Sequence, residues 1–125
     1  MERDAVIVAG FGFRQTATLA SLQSALAATR AAPDALSAPH DKCAATVLIS
    51  LANSMNLPLI PVPAEDLSKA ETLTRSTRVI KERGTGSVAE AAALVAAGPG
   101  ARLQAPRCVS QDRLATCAIA ERKMP

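Results

Sequence analysis

Two short stretches place backbone amides and hydroxyls where an anion could be held. The first is Gly10-Phe11-Gly12-Phe13-Arg14-Gln15-Thr16, read as a turn from a strand into a helix. Glycines there admit a ligand close to the backbone, and the free amides of the following helix favour negative charge. It is not a complete nucleotide motif: Gln15 stands where G-x-G-x-x-G needs its third glycine, and the chain has no G-x-x-x-x-G-K-[ST] run. The second is Gly84-Thr85-Gly86-Ser87, ahead of Val88-Ala89-Glu90, where Ser87 and Glu90 fit a capping box. Arg75, Arg78, Lys81 and Arg83 lie just upstream as donors suited to carboxylates. Two such helix starts can face one cleft at the carboxyl ends of the strands, where open α/β sheets bind ligands. The other reading is structural in both cases: a tight turn, and a capped helix beside a solvated basic surface.

His40-Asp41-Lys42 contains the only histidine, so a general base of ordinary pKa would be His40 or a carboxylate. Nothing in the spacing positions a Ser-His-Asp triad, and such a histidine is more often a loop residue. Lys42 is the better candidate, as a fixed positive charge over an acidic substrate. Cys43, Cys108 and Cys117 make an odd count without C-x-x-C spacing, which argues against a disulfide framework and a zinc site and suits small buried thiols. No metal and no cofactor is expected. Cys108 and Cys117 lie symmetrically about Gln111-Asp112-Arg113-Leu114, so a hairpin there would set them face to face.

The elements that must position these residues follow from hydrophobic periodicity. Ala5-Val6-Ile7-Val8-Ala9 is a short apolar, β-branched run, as expected of a central strand buried on both faces. Leu19, Leu22 and Leu26 repeat at helical spacing, with Thr16 or Thr18 as N-cap and Pro33 as a stop. Ala35-Leu36-Ser37-Ala38 is a candidate second strand. Asp41 is a candidate cap for a helix through Ala44, Leu48, Leu51, Ala52 and Met55, ended by Asn56. Leu59-Ile60-Pro61-Val62-Pro63 reads as an edge strand, because its prolines remove ladder donors. Glu65-Asp66-Leu67 is at most a short helical turn. Residues 72–86 are polar and read as a loop around one short helix near Arg78 to Lys81. Val88, Ala91, Ala92 and Val95 then form the best-specified helix, closed by Gly98-Pro99-Gly100. Leu103-Gln104, Arg107-Cys108-Val109 and Leu114 to Ala120 read as a terminal hairpin turning near Gln111-Asp112. The expected fold is α/β, a three-layer α/β/α arrangement around a mixed, mostly parallel sheet ending in an antiparallel hairpin.

With 125 residues, the chain fits one domain spanning 1–125 that buries about two-thirds of its unfolded surface. Hydrophobic residues at 49% and charged residues at 20% exclude a wholly disordered or fibrous chain. Two Phe, no Trp and no Tyr leave too few rings for a single-stranded nucleic-acid platform. A net charge of +3 without a Lys/Arg run of nucleic-acid type argues the same way and suits a small acidic ligand. No apolar stretch reaches membrane-spanning length, and Met1-Glu2-Arg3-Asp4 opens no secretory signal, so a cytoplasmic protein is expected.

Taken together, several segments resemble the CobE / CbiG C-terminal domain family of cobalamin biosynthesis. They are Val8-Ala9-Gly10-Phe11-Gly12-Phe13-Arg14 with Thr16, Asp41-Lys42 ahead of a helix, Leu57-Pro58-Leu59, Gly86-Ser87-Val88-Ala89-Glu90-Ala91-Ala92-Ala93-Leu94, and Thr116-Cys117-Ala118-Ile119-Ala120. They stand in the family's order over nearly the whole chain. The start four residues ahead of the first strand makes the stand-alone CobE form, of the aerobic pathway, the expectation. Two departures matter. The family turn commonly carries Cys and two basic residues where Phe13, Arg14 and Gln15 stand, and a carboxylate commonly follows the lysine where Cys43-Ala44-Ala45 follow Lys42. Both losses favour binding over covalent chemistry.

The resemblance implies an acidic tetrapyrrole, a precorrin, as ligand, whose acetates and propionates need amides, Arg and Lys around the rim and whose macrocycle needs an apolar wall. The expected contacts are Gly10, Phe11, Gly12, Phe13, Arg14, Thr16, Lys42, Gly86, Ser87 and Glu90, in a carrier or accessory factor. One rival is a hydrolase or isomerase on the same macrocycle, similar to CbiG, with Glu90, His40 or Asp41 as acid or base. A second is a module that docks on other enzymes of the pathway.

Overall fold

The computed structural model describes residues 5–67 and 88–123. The gap takes in the basic segment with Arg75, Arg78, Lys81 and Arg83, together with Gly86 and Ser87. The expectations made for those residues therefore lie outside the described part of the chain.

Strands β1 (Ala5–Phe13), β2 (Ala35–Pro39) and β3 (Leu59–Val62) run parallel, linked by helices α1 (Leu19–Thr29) and α2 (Thr46–Met55). After β3 come a single helical turn, α3 (Ala64–Leu67), and then α4 (Val88–Ala97), β4 (Arg102–Leu103), β5 (Cys108–Val109) and β6 (Ala115–Lys123). The six-stranded sheet has the order β3-β2-β1-β6-β4, with β5 also pairing β6. β6 is antiparallel to β1, β4 and β5, so it alone runs against the others. Among the described residues no helix is long and apolar enough to cross a membrane.

Side chains alternate across the sheet. Ala9, Phe11, Leu36, Ala115, Cys117 and Ile119 join Leu22 and Ala25 of α1 and Leu48, Leu51 and Ala52 of α2 on one face. Val8, Ala35 and Ala120 meet Ala93 and Ala97 of α4 on the other, where Val62 and Leu67 pack on Ala91 and Ala92. Three layers result, as the periodicity predicts.

Thr18 caps α1, accepting from the Ser21 amide while the Ser21 hydroxyl accepts from the Thr18 amide. The helix ends at Arg30, in the left-handed region at φ 58°, before Pro33 is reached. Asn56, φ 56°, closes α2 in the same way. Asp41 does not cap α2: it lies in a 3₁₀ turn, His40–Lys42, and the cap position falls to Ala45, which offers no side-chain acceptor.

The larger correction concerns the two glycines of the first motif. Gly10 and Gly12 are not in a turn. β1 continues through Phe13 because β6 pairs with it from Ala5↔Lys123 to Phe13↔Ala115. Both glycines face α4. A Cβ on Gly10 would stand 2.5 Å from the Ala93 nitrogen and 2.9 Å from the Ala93 Cβ, and would run into the Ala89 carbonyl oxygen. Alanine-rich α4 therefore lies against bare backbone. Alanine serves both ends here, as the strongest helix former and as the smallest side chain that still covers the sheet.

Candidate functional site

The carboxyl ends of the parallel strands, the start of α4 and the turn entering β6 meet at one edge. β1 delivers Gly12, Phe13 and Arg14 to it. β2 ends at Pro39 and passes into the 3₁₀ turn that carries His40, Asp41 and Lys42. The Lys42 ammonium sits 5.2 Å from the centre of the Phe13 ring, within the reach of a cation–π contact. Arg14, Gln15 and Thr16 are exposed in the loop beyond β1. The Arg14 amide donates to the Leu114 carbonyl at 2.8 Å, which ties that loop to the turn before β6.

Gly12 lies against the first residues of α4, where a Cβ on it would be 3.5 Å from the Val88 Cβ and 3.6 Å from the Ala89 nitrogen. The Thr116 hydroxyl donates to the Gly12 carbonyl at 3.2 Å. The glycine strand and the helix after Ser87 thus come together at this edge. Of the residues singled out in the sequence, Gly12, Phe13, Arg14, Thr16 and Lys42 gather here at least partly exposed, with His40 and Asp41 exposed beside them.

Gly10, Phe11 and Glu90 are placed differently. Gly10 is covered by α4. Phe11 is fully buried in the core under α1 and α2. Glu90 is fully buried too and accepts from the Arg107 amide at 2.8 Å, so its carboxylate ties the loop before β5 to the first turn of α4. The expected reach of Glu90 back to Ser87 falls on an undescribed residue.

The start of α1 already has an acid of its own. Asp112 accepts from the Ser21 hydroxyl at 2.5 Å, the Ser110 hydroxyl at 2.6 Å and the Leu114 amide at 3.0 Å. Those bonds, Ser110's first and then Ser21's, hold its carboxyl below the ordinary value of 3.8. A carboxylate beside a helix N-terminus is favourable, so the anion expected at α1 is supplied in part by the protein. Sequence reading missed this because Asp112 and Ser21 are 91 residues apart. The local signal was an Asx turn, an Asp accepting from the amide two residues on.

Cys43, next to Lys42, donates its thiol to the Ala38 carbonyl at 3.6 Å, and burial pushes its pKa up. It is a poor nucleophile as it stands. Among the described residues no group of three His, Cys, Asp or Glu could hold a metal ion. What the edge offers is a cation over a ring, an exposed arginine and an exposed threonine hydroxyl. Groups of these kinds are chemically suited to carboxylates and to flat apolar surfaces.

Comparisons with known proteins point in one direction. A family model described as "Cobalamin synthesis G C-terminus" matches residues 7–120. The solved structure of CobE, a protein from the cobalamin (vitamin B12) biosynthetic pathway, superposes with a TM-score of 0.80 at 27% identity, covering 100% of this chain and 94% of that one. The cobalamin biosynthesis protein chiG from Agrobacterium tumefaciens str. C58 is 37% identical, with a TM-score of 0.71 over 92% of this chain and 97% of that one. A putative cobalamin biosynthesis protein G homolog from Sulfolobus solfataricus shares the fold at 15% identity and TM-score 0.66, with 93% of this chain matched to 36% of that longer protein. No curated protein matches the sequence. The match over residues 7–120 leaves one conclusion: the chain belongs to the family of the cobalamin synthesis G C-terminus, and so to cobalamin biosynthesis.

Proposed function

We propose that the chain is a cytoplasmic carrier or accessory factor of aerobic cobalamin biosynthesis, and that it binds a precorrin intermediate at the carboxyl edge of β1 and β2. The observation that carries this reading is the Lys42 ammonium 5.2 Å over Phe13, with Arg14 and Thr16 exposed alongside. A carboxylated macrocycle would set acetates and propionates on Lys42, Arg14 and Thr16. Its ring would lie towards Phe13 and Gly12. Membership of a cobalamin-biosynthesis family supports this ligand class, and the exposed groups of the edge are of a matching kind.

Titration of the purified protein with pathway intermediates tests this. Expected are a shift in visible absorption that saturates near one equivalent and co-elution on gel filtration. Intermediates that pass through unretained would overturn it. The rival, turnover on the same macrocycle, is favoured by the exposure of His40 and Asp41 beside Lys42, while enclosed Glu90 is out of reach. Mass spectrometry of products at limiting protein decides between them: conversion beyond one equivalent means catalysis, and stoichiometric capture means a carrier.

A further inference from the structure

We propose that Cys108 and Cys117 form a reversible disulfide across the β5–β6 pair, a clasp that fastens the hairpin beside the candidate site. The two residues are partners in register, and directly opposed residues of an antiparallel pair project to the same face of the sheet. The Ser110 amide donates to the Ala115 carbonyl at 2.9 Å. Two residues further along, 108 and 117 are therefore again a hydrogen-bonded pair, with Cα atoms about 5.5 Å apart. A disulfide accepts Cα separations of about 4.4–6.8 Å. Both thiols are free. Cys117 is fully buried between Ala115 and Ile119, whereas Cys108 is half-buried and reachable. Burial raises the Cys117 thiol pKa, and the charge of nearby Cys108 adds to the effect, in keeping with their closeness.

The roles follow from access. The Cys108 thiolate attacks a small disulfide of the glutathione class, releasing one thiol and leaving a mixed disulfide on Cys108. The Cys117 sulfur, on losing its proton, attacks the Cys108 sulfur and releases the second thiol. One protein disulfide forms, the small disulfide is reduced to two thiols, and the protons balance. β5 spans only Cys108–Val109, so the bond would add a covalent tie to a two-residue strand. The turn that follows carries Asp112 to α1 and Leu114 to Arg14. Oxidation would stiffen that rim of the edge.

The test is incubation of the folded full chain with oxidised glutathione, followed by thiol counting and peptide mapping. Two of the three thiols should disappear into a linked pair of peptides containing Cys108 and Cys117. Dithiothreitol should restore them. Cys108→Ser should abolish the link, and Cys43→Ser should leave it intact. Oxidised protein should also show slower amide exchange at 110–114 than reduced protein. A product that stops at glutathione on Cys108, a link through Cys43, a dimer between chains, or three thiols surviving would each overturn the proposal.

Discussion

Replacing Gly10 by alanine should destabilise the protein more than its single added methyl group suggests. The new Cβ would stand 2.5 Å from the Ala93 nitrogen and 2.9 Å from the Ala93 Cβ, where ordinary contact is about 3.5–4.0 Å. The obstructing atoms include helix backbone, which no rotamer change can move, so α4 must lift by roughly 1 Å. Overpacking typically costs about 1–3 kcal/mol. Lifting α4 also thins the contacts of Ala93 and Ala97 with Val8 and Ala120, which puts Gly10→Ala at about 3 kcal/mol, the top of that range. At roughly 4 °C per kcal/mol for a domain of this size, Tm should drop by about 12 °C. Gly12→Ala is the internal control. Its Cβ would meet the Thr116 hydroxyl at 3.0 Å and nothing else nearer than 3.5 Å, and a threonine can turn aside. Its net effect should stay within about 1 kcal/mol, since alanine also restricts the unfolded chain. Urea and thermal unfolding followed by circular dichroism measure both. If Gly10→Ala unfolds with the wild type, or the two variants behave alike, the glycines are not there for close helix packing.

Three further outcomes follow from particular contacts. Asp112 has a depressed pKa, so the stability it lends is complete above its unfolded value and lost as pH falls through the folded one. Asp112→Asn should flatten the acid limb of a plot of urea midpoint against pH, and parallel limbs for the two proteins would count against the clamp. Lys42→Met and Arg14→Ala should each weaken precorrin retention by about tenfold or more, from charge-assisted hydrogen bonds worth ~1.5–3 kcal/mol, with urea midpoints unmoved. Retention equal to wild type would place the ligand elsewhere. Arg30 closes α1 at φ 58°, a conformation that costs an L-residue about 1–2 kcal/mol. Arg30→Gly should raise stability by about 0.5–1 kcal/mol after glycine's entropy loss, and an unchanged urea midpoint would refute the strain.

The parts legible in the sequence are those whose signals are local. Thr18, Asn56 and Gly98 mark helix ends through caps and left-handed residues, and Pro61 within β3 with Pro63 just after it fits the strand's place at the sheet edge. What stayed hidden depends on partners far along the chain. A glycine pair in a turn and a glycine pair beneath a helix look identical until β6 and α4 are placed on them, which is why Gly10 read as a ligand contact. The bond that Glu90 accepts from the Arg107 amide, 17 residues on, had no local signal either. At the site, Lys42 was legible as a cation near a helix start. Its seat over Phe13 was not, because it depends on β1 and β2 ending side by side.

The reversed strand has a consequence for biosynthesis. β1 is bordered by β2 on one side and, along its full length, by β6 on the other, and more than a hundred residues of chain are translated between β1 and β6. A nascent chain emerging from the ribosome therefore carries an unzipped, apolar strand edge until its last strand is out. Closing so long a loop is slow, and an open edge invites pairing with other chains. The sheet can therefore close around β1 only after β6 has been made.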